Sequence, residues 1–130
     1  MDDEDVRIGV LYPIADGDAR RARVQACDFG RYIGGEAEIH TQGGVLHGGA
    51  VYRGNLESIG VDGDELKMRF ARLRVMRRLA VWEDDARRDY SLTLELVSAV
   101  QGPDERGRLI LQSPIVEELL VLFPPGYERG

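Results

Sequence analysis

Apolar and polar residues alternate with a period of two in three parts of the chain, which is typical of β-strands with one buried face. The alternation runs through 37–56, 66–70 and 92–96. Its apolar members include Ala37, Ile39, Leu66, Met68, Phe70, Leu92, Leu94 and Leu96. Continuous apolar runs predict further strands at 6–14 and 109–111 and a closing strand within 115–123. The pattern at 19–33, which Gly34 and Gly35 end, fits a short helix but leaves a strand open.

The stretch IHTQGGVLHGGAVYRGN, residues 39–55, has the residues of a β-hairpin. If Gly43 and Gly44 form a two-residue turn, residue 42 faces 45, 41 faces 46, and His40 faces His47. In that register one face of the hairpin, which includes Leu46, is apolar, and the other face is polar. A single register therefore places the apolar residues of both strands on one face and the polar residues on the other.

Three glycines follow that turn within the second strand of the hairpin, Gly48, Gly49 and Gly54. Glycine inside a strand usually marks a bulge, a bend or a close backbone approach. A strand bent in this way lets a small sheet curl into a barrel. We therefore predict a mainly β fold, built as a single small, strongly bent β-barrel with one or two short helices. Residues 1–5 are predicted to be an acidic disordered tail, and 6–126 to be the single domain.

Composition narrows the class of protein. The chain has 130 residues, a net charge of −6 and one cysteine, and 43% of its residues are hydrophobic. This length suits one domain, and no apolar run approaches the ~20 residues of a membrane span. The acidic start, Met-Asp-Asp-Glu-Asp, is the opposite of a signal peptide. We expect a cytoplasmic protein that does not enter a membrane.

A strip of basic residues between 67 and 78 contains no acid. Its members are Lys67, Arg69, Arg72, Arg74, Arg77 and Arg78. An acidic protein can still carry such a strip as a landing surface for phosphate groups. The alternative is an ordinary solvated strand face.

Other candidate chemistry is weaker. The glycines of 43–49 lack the lysine and the following helix of a phosphate-binding loop. His40 and His47, facing each other near Glu38, could ligate a metal ion, but the site would be exposed, and we predict no metal or cofactor. The acids among residues 83–89 resemble a solvated loop, and Cys27 and Trp82 are interpreted as core residues. We predict that the protein is not an enzyme.

The segments YIGGEAEIHTQGG, VYRGNLESIG and DELKMRF together resemble the first half of an Sm-like barrel. GRLILQSPIVEELLVLF stands where that family has its closing pair of strands, and 75–91 is then an insertion. The resemblance implies a ring-forming, RNA-associated module. It assigns base contacts to the positions of Asp62, Asp64, Gln112 and Ser113, although these residues match the family's signatures only loosely.

A second resemblance is to PilZ-type domains, which bind a cyclic dinucleotide. Arg20 and Arg21, with the segment NLESIG from Asn55, resemble the arginine pair and the serine-containing turn of that family, displaced by one residue. The third possibility is a protein-interaction barrel whose exposed edge strands pair with a partner protein. We therefore expect a non-catalytic binding module that assembles with itself or with a partner protein, with RNA as the favoured ligand class.

Overall fold

The computed structural model describes residues 22, 24–97 and 99–127. The predicted tail at 1–5, the predicted strand at 6–14 and the arginine pair Arg20 and Arg21 lie outside these residues. Eight antiparallel strands form one sheet. They are β1 (Glu36–Thr41), β2 (Ala50–Asp62), β3 (Glu65–Arg78), β4 (Val81–Asp85), β5 (Asp89–Thr93), β6 (Ala99–Gln101), β7 (Leu109–Ser113) and β8 (Glu118–Leu122).

The strands follow the order β4-β3-β2-β1-β8-β7-β6, and β5 lies beside the first half of β3. The prediction of a mainly β fold is confirmed. Within the described residues the path ends at β4 and β6, so the sheet is not closed. The closing strand expected within 115–123 is β8, which pairs with both β1 and β7.

The core lies on one face of this bent sheet. Ala37, Ile39, Leu66, Met68 and Phe70 are almost fully buried, as their alternation predicts. Each of the four larger side chains, those other than Ala37, contributes roughly 1.5–3 kcal/mol when it leaves water. The strand expected at 92–96 ends at Thr93, and a 3-10 turn, Leu94–Leu96, continues it.

The bend in the sheet is centred on Gly54. The pairing of β2 with β3 shifts register between Gly54 and Leu56 and again before Ser58. A Cβ atom at residue 54 would lie 2.4 Å from the carbonyl oxygen of Arg72, so the two backbones approach as closely as they do only because residue 54 is glycine. The buried positions of β3 change phase here, from Phe70 to Leu73. A bulged pairing and a close backbone approach, two of the features predicted for a glycine inside this strand, are therefore present at Gly54.

The predicted register of the first hairpin is wrong. β1 pairs with β2 so that Thr41 lies opposite Ala50 and His40 opposite Val51. Residues 42–49 form an eight-residue loop, named here the glycine loop, which contains the 3-10 turn Val45–His47. His47 therefore does not face His40, and Leu46 is 81% exposed instead of lying in the core. The residues of β1 and β2 still face inward and outward as predicted, because the observed register differs from the predicted one by an even number of residues.

The described part of 19–33 is helical, not extended. Residues 22, 24 and 25 lie in one helical turn, in which the amide of Ala26 donates to the carbonyl of Ala22. The 3-10 turn Phe29–Tyr32 follows and packs Phe29 and Tyr32 into the core. No helix among the described residues is long and apolar enough to cross a membrane.

Residues 83–89 are not the loop that their charge suggests. Glu83, Asp84 and Asp85 belong to β4, and Asp89 begins β5. Strand β4 pairs with the second half of β3 and β5 with its first half, so both lie along the same side of β3. Three of these acids, Asp84, Asp85 and Asp89, meet arginines of β3 across the strands.

Candidate functional site

The predicted basic strip is a single strand, β3, and most of its charge is compensated. Lys67 Nζ lies 3.0 Å from Asp62 and Arg72 Nη2 lies 2.7 Å from Asp84. The remaining contacts are Arg69 with Asp89 at 3.3 Å and with Glu57 at 3.9 Å, and Arg77 with Asp85 at 4.0 Å. Exposed pairs of this kind add little stability, but they cancel positive charge. Arg74 and Arg78 are the strip members without an ion pair to a described residue.

The other predicted ligand-binding residues do not come together. Asp62 and Asp64 lie at the turn between β2 and β3, whereas Gln112 and Ser113 lie at the far end of β7. Antiparallel strands alternate direction, which places the ends of β2 and β7 at opposite ends of the sheet. Ser113 is 1% exposed, and within the described structure its hydroxyl has no hydrogen-bond partner. The four residues are therefore not one surface.

The sequence NLESIG lies inside β2 and forms no turn. Asn55 and Ser58 are exposed on this strand, and Gly60 is paired with Lys67 of β3. The hairpin that follows turns at Gly63, three residues further on. The structure thus places the segment similar to the PilZ-type turn in the middle of the longest hairpin.

An aromatic and charged platform covers the outer face of β1 to β4. Trp82 is half-buried on this face, not in the core, because it lies opposite Met76 on the outward side of β3. The guanidinium carbons of Arg53 and Arg74 lie 4.6 and 5.8 Å from its ring centroid. Arg53 also donates two hydrogen bonds to one oxygen of Glu38, at 3.0 and 2.8 Å.

Glu38 is a nearly buried carboxylate, 8% exposed, at the centre of that platform. Its other oxygen lies 3.2 Å from His40 Nε2. No group of three or more metal-type ligands occurs among the described residues. The alternation in β1 predicts that Glu38 and His40 face outward. The contact of Glu38 with Arg53 is not predicted, because it depends on the observed register of β1 and β2.

A second polar cluster lies where the sheet curls over its inner face. Arg87 Nη2 donates to the Tyr52 hydroxyl at 3.0 Å, and its guanidinium carbon lies 4.9 Å from the Tyr52 ring. Tyr90 of β5 is hydrogen-bonded to Glu118 of β8, although these strands are not neighbours in the sheet. Burial first, and then this hydrogen bond, raise the pKa of Tyr90. These contacts hold the curled sheet together.

Exposed apolar side chains concentrate at one end of the sheet, named here the loop end. It consists of the glycine loop, the tip of the β3–β4 hairpin and the 3-10 turn Pro114–Val116 before β8. Six large hydrophobic side chains among the described residues are exposed, and five of them lie here. They are Leu46 (81%), Ile115 (79%), Leu79 (68%), Val81 (39%) and Val116 (38%).

Two of the three parts of the loop end are joined by a backbone hydrogen bond. The amide of Gly43 donates to the carbonyl of Glu117 at 3.2 Å, which joins the glycine loop to the turn before β8. A cavity of about 280 Å³ lies between the glycine loop, Tyr52 and Arg77. A strand follows the glycine loop, so the loop lacks the strand–loop–helix geometry of a P-loop.

In comparisons with known proteins the chain matches no family model, no curated protein and no solved structure.

Proposed function

We propose that the protein is a non-catalytic binding module that associates with a second copy of itself through the loop end. The observation that carries this proposal is the concentration of exposed apolar side chains there. Scattered exposed hydrophobic residues are normal, whereas a contiguous group is typical of a protein–protein interface. Leu46 and Ile115 are the most exposed of the group, so they would gain most from burial against a partner.

Charge placement favours a second copy over an unrelated partner. Across the loop end, Arg78 terminates β3 on one flank and Glu117 precedes β8 on the other, with the glycine loop between them. Neither side chain has an ion-pair partner among the described residues. A two-fold axis through the apolar centre would place Arg78 of each copy against Glu117 of the other. A surface that is complementary to itself in this way is what a symmetric dimer requires.

Light scattering coupled to size-exclusion chromatography tests the proposal. The monomer mass is 14.5 kDa, and we expect twice that mass at high protein concentration. Leu46→Asp places a charge in the apolar centre and should return the protein to the monomer mass. Ile33→Asp is the matched control, because Ile33 is the exposed hydrophobic residue that lies outside the loop end. A monomer at every concentration would contradict the proposal.

The resemblance to Sm-like proteins supports the proposal that this binding module is a small β-barrel. Like the family, the chain has a second strand bent at glycine (Gly54), a polar turn leading to the third strand, and a closing pair of strands, β7 and β8. The additional strand β4 is a departure that falls in the proposed insertion.

RNA binding is the second candidate function. Arg74 supports it, since this strip residue lies on Trp82 and has no described carboxylate partner. Titration with oligo-RNA at two salt concentrations tests it: binding that weakens with salt and is lost in Arg74→Ala supports the assignment. The same titration with a cyclic dinucleotide tests the PilZ-type alternative through Arg20→Ala and Arg21→Ala.

A further inference from the structure

A cleft of about 510 Å³ lies between the 3-10 turn Phe29–Tyr32 and the connection from β6 to β7. Its volume is within the range of small-molecule binding sites, roughly 300–1,000 Å³. β6 ends and β7 begins at the end of the sheet opposite the loop end. The cleft is therefore independent of the proposed self-association surface.

The floor of the cleft is apolar. Tyr32 and Leu109, each 1% exposed, and the partly buried Val100 form it, and Cys27 lines one side. Tyr32 and Leu109 are already shielded, so the apolar surface that a ligand would cover belongs to Val100, Cys27 and Pro103. Such a lining favours a ligand with a hydrocarbon body.

Both walls of the cleft are fixed before any ligand binds. The Tyr32 hydroxyl donates to the carbonyl of Gly107 at 2.7 Å, which ties the 3-10 turn to the β6–β7 connection. Within that connection Asp104 Oδ1 accepts hydrogen bonds from the amides of Arg106 and Arg108, both at 2.9 Å. The Arg108 amide in particular lowers the pKa of Asp104. Walls held in this way reduce the entropy that a ligand must lose on binding.

Arg31 is a positioned cation at the cleft. Its guanidinium carbon lies 5.6 Å from the Tyr32 ring centroid, and a Cβ at Gly107 would lie 2.8 Å from its Nη2. The φ of +100° at residue 107 favours glycine, and the end of the Arg31 side chain lies beside it. Within the described structure Arg31 has no carboxylate partner, so its donors are available to an anionic group.

Asp28 supplies the opposite charge beside the same cleft. It precedes the 3-10 turn, is exposed and makes no capping hydrogen bond. It likewise has no ion-pair partner among the described residues. The nearest acid on the other wall, Asp104, is engaged by Arg108 at 3.5 Å. Among the described residues, the cleft thus presents one cation and one anion without ion-pair partners, Arg31 and Asp28, above an apolar floor.

We infer that this cleft binds a small zwitterion with an apolar body, of which an apolar α-amino acid is the simplest case. Arg31 would receive the carboxylate in the two-pronged geometry that guanidinium favours, and Asp28 would receive the ammonium group. The apolar side chain would lie against Val100, Cys27 and Pro103. A ligand with only one of the two charges would leave the other protein charge without compensation.

The reactivity of Cys27 can report ligand binding, because Cys27 is the chain's single cysteine and lines the cleft. The rate at which iodoacetamide, a neutral reagent, modifies Cys27 is measured with increasing L-leucine. We expect leucine to slow modification in a saturable manner. We expect 4-methylpentanoate, which lacks the ammonium group, and 3-methylbutylamine, which lacks the carboxylate, each to bind about tenfold more weakly or worse. Glycine, which lacks the apolar body, should give no protection.

The variants Arg31→Gln and Asp28→Asn should each lose protection by leucine. Arg88→Gln, an exposed arginine remote from the cleft, is the matched control and should retain it. The amide NMR signals of Gly102 and Gly107 report leucine binding independently of the thiol and show whether each variant is folded. The inference is overturned if leucine gives neither protection nor shifts in the native protein. Equal protection by 4-methylpentanoate, or full protection in folded Arg31→Gln, overturns it as well.

Discussion

Arg53 on β2 lies over the ring of Trp82 on β4, with its guanidinium carbon 4.6 Å from the ring centroid, so that the contact crosses the intervening strand β3. The same guanidinium donates to Glu38 on β1. One side chain of β2 therefore links β1 and β4 across the outer face of the sheet. The nearly buried carboxylate of Glu38 depends on this guanidinium for hydrogen bonds. Loss of the Arg53 side chain should therefore destabilise this part of the fold.

Arg53→Met should lower the free energy of unfolding by about 1–2 kcal/mol. The methionine keeps the aliphatic stem but leaves Glu38 without its guanidinium donors. The loss of stability is smaller than for a fully buried ion pair because the Arg53 side chain is 36% exposed. Urea denaturation followed by circular dichroism measures it. Arg88→Met, at an exposed arginine, is the control and should change stability by less than about 0.5 kcal/mol.

The inner face of the sheet was predictable because burial there repeats every two residues. Ile39, Leu66 and Phe70 are inward as expected, and the bend at Gly54 follows from a glycine inside a strand. These features depend on local sequence. The phase change of β3 between Phe70 and Leu73 is not local, because it follows from the bulged pairing with β2.

The outer face was not predictable to the same extent. Trp82 was expected in the core because it is large and apolar, yet its strand partner Met76 turns it outward. The arginines of β3 were expected to face solvent, but their cross-strand acids were assigned to a loop. Pairing across strands depends on register, and glycines at 43, 44, 48 and 49 permit several turn lengths.

Gly54→Ala should destabilise the protein by about 2 kcal/mol or more, as overpacking against backbone does. The added Cβ would meet the carbonyl oxygen of Arg72, which cannot rotate away as a side chain could. Gly60→Ala in the same strand is the control, since a Cβ there meets nothing within 4 Å. Thermal unfolding of both variants makes the comparison. Equal melting temperatures would contradict the close approach of β2 and β3.

Tyr90 should make stability depend on pH above about 10, the ordinary pKa of tyrosine. Because burial raises its pKa in the folded protein, the folded state holds the proton more tightly than the unfolded chain does. The stabilisation is therefore complete below the unfolded pKa and is lost as pH rises towards the folded value. The chain has one lysine, Lys67, and arginine does not titrate here, so the other groups that titrate in this range are chiefly the four remaining tyrosines and Cys27.

Urea midpoints measured between pH 8 and pH 11 should fall more steeply in the native protein than in Tyr90→Phe. Tyr32 contributes in the same direction, since burial raises its pKa as well, so the phenylalanine variant should retain part of the decline. Tyr127→Phe, near the end of the described chain, is the control and should follow the native curve. Parallel curves for the native protein and Tyr90→Phe would show that Tyr90 is not held in its protonated form.

Arg78 and Glu117 give the sharpest test of self-association, because each would pair with the other residue of the second copy. Arg78→Glu alone places like charges opposite each other, and Glu117→Arg alone does the same. Each single variant should shift the dimer towards monomer in light scattering. The double variant restores opposite charges across the interface with the polarity reversed, and it should recover the dimer. Within one chain the two side chains lie on opposite flanks of the loop end, so recovery requires contact between copies. If the double variant is as monomeric as the single variants, the two-fold arrangement is wrong even if the loop end self-associates.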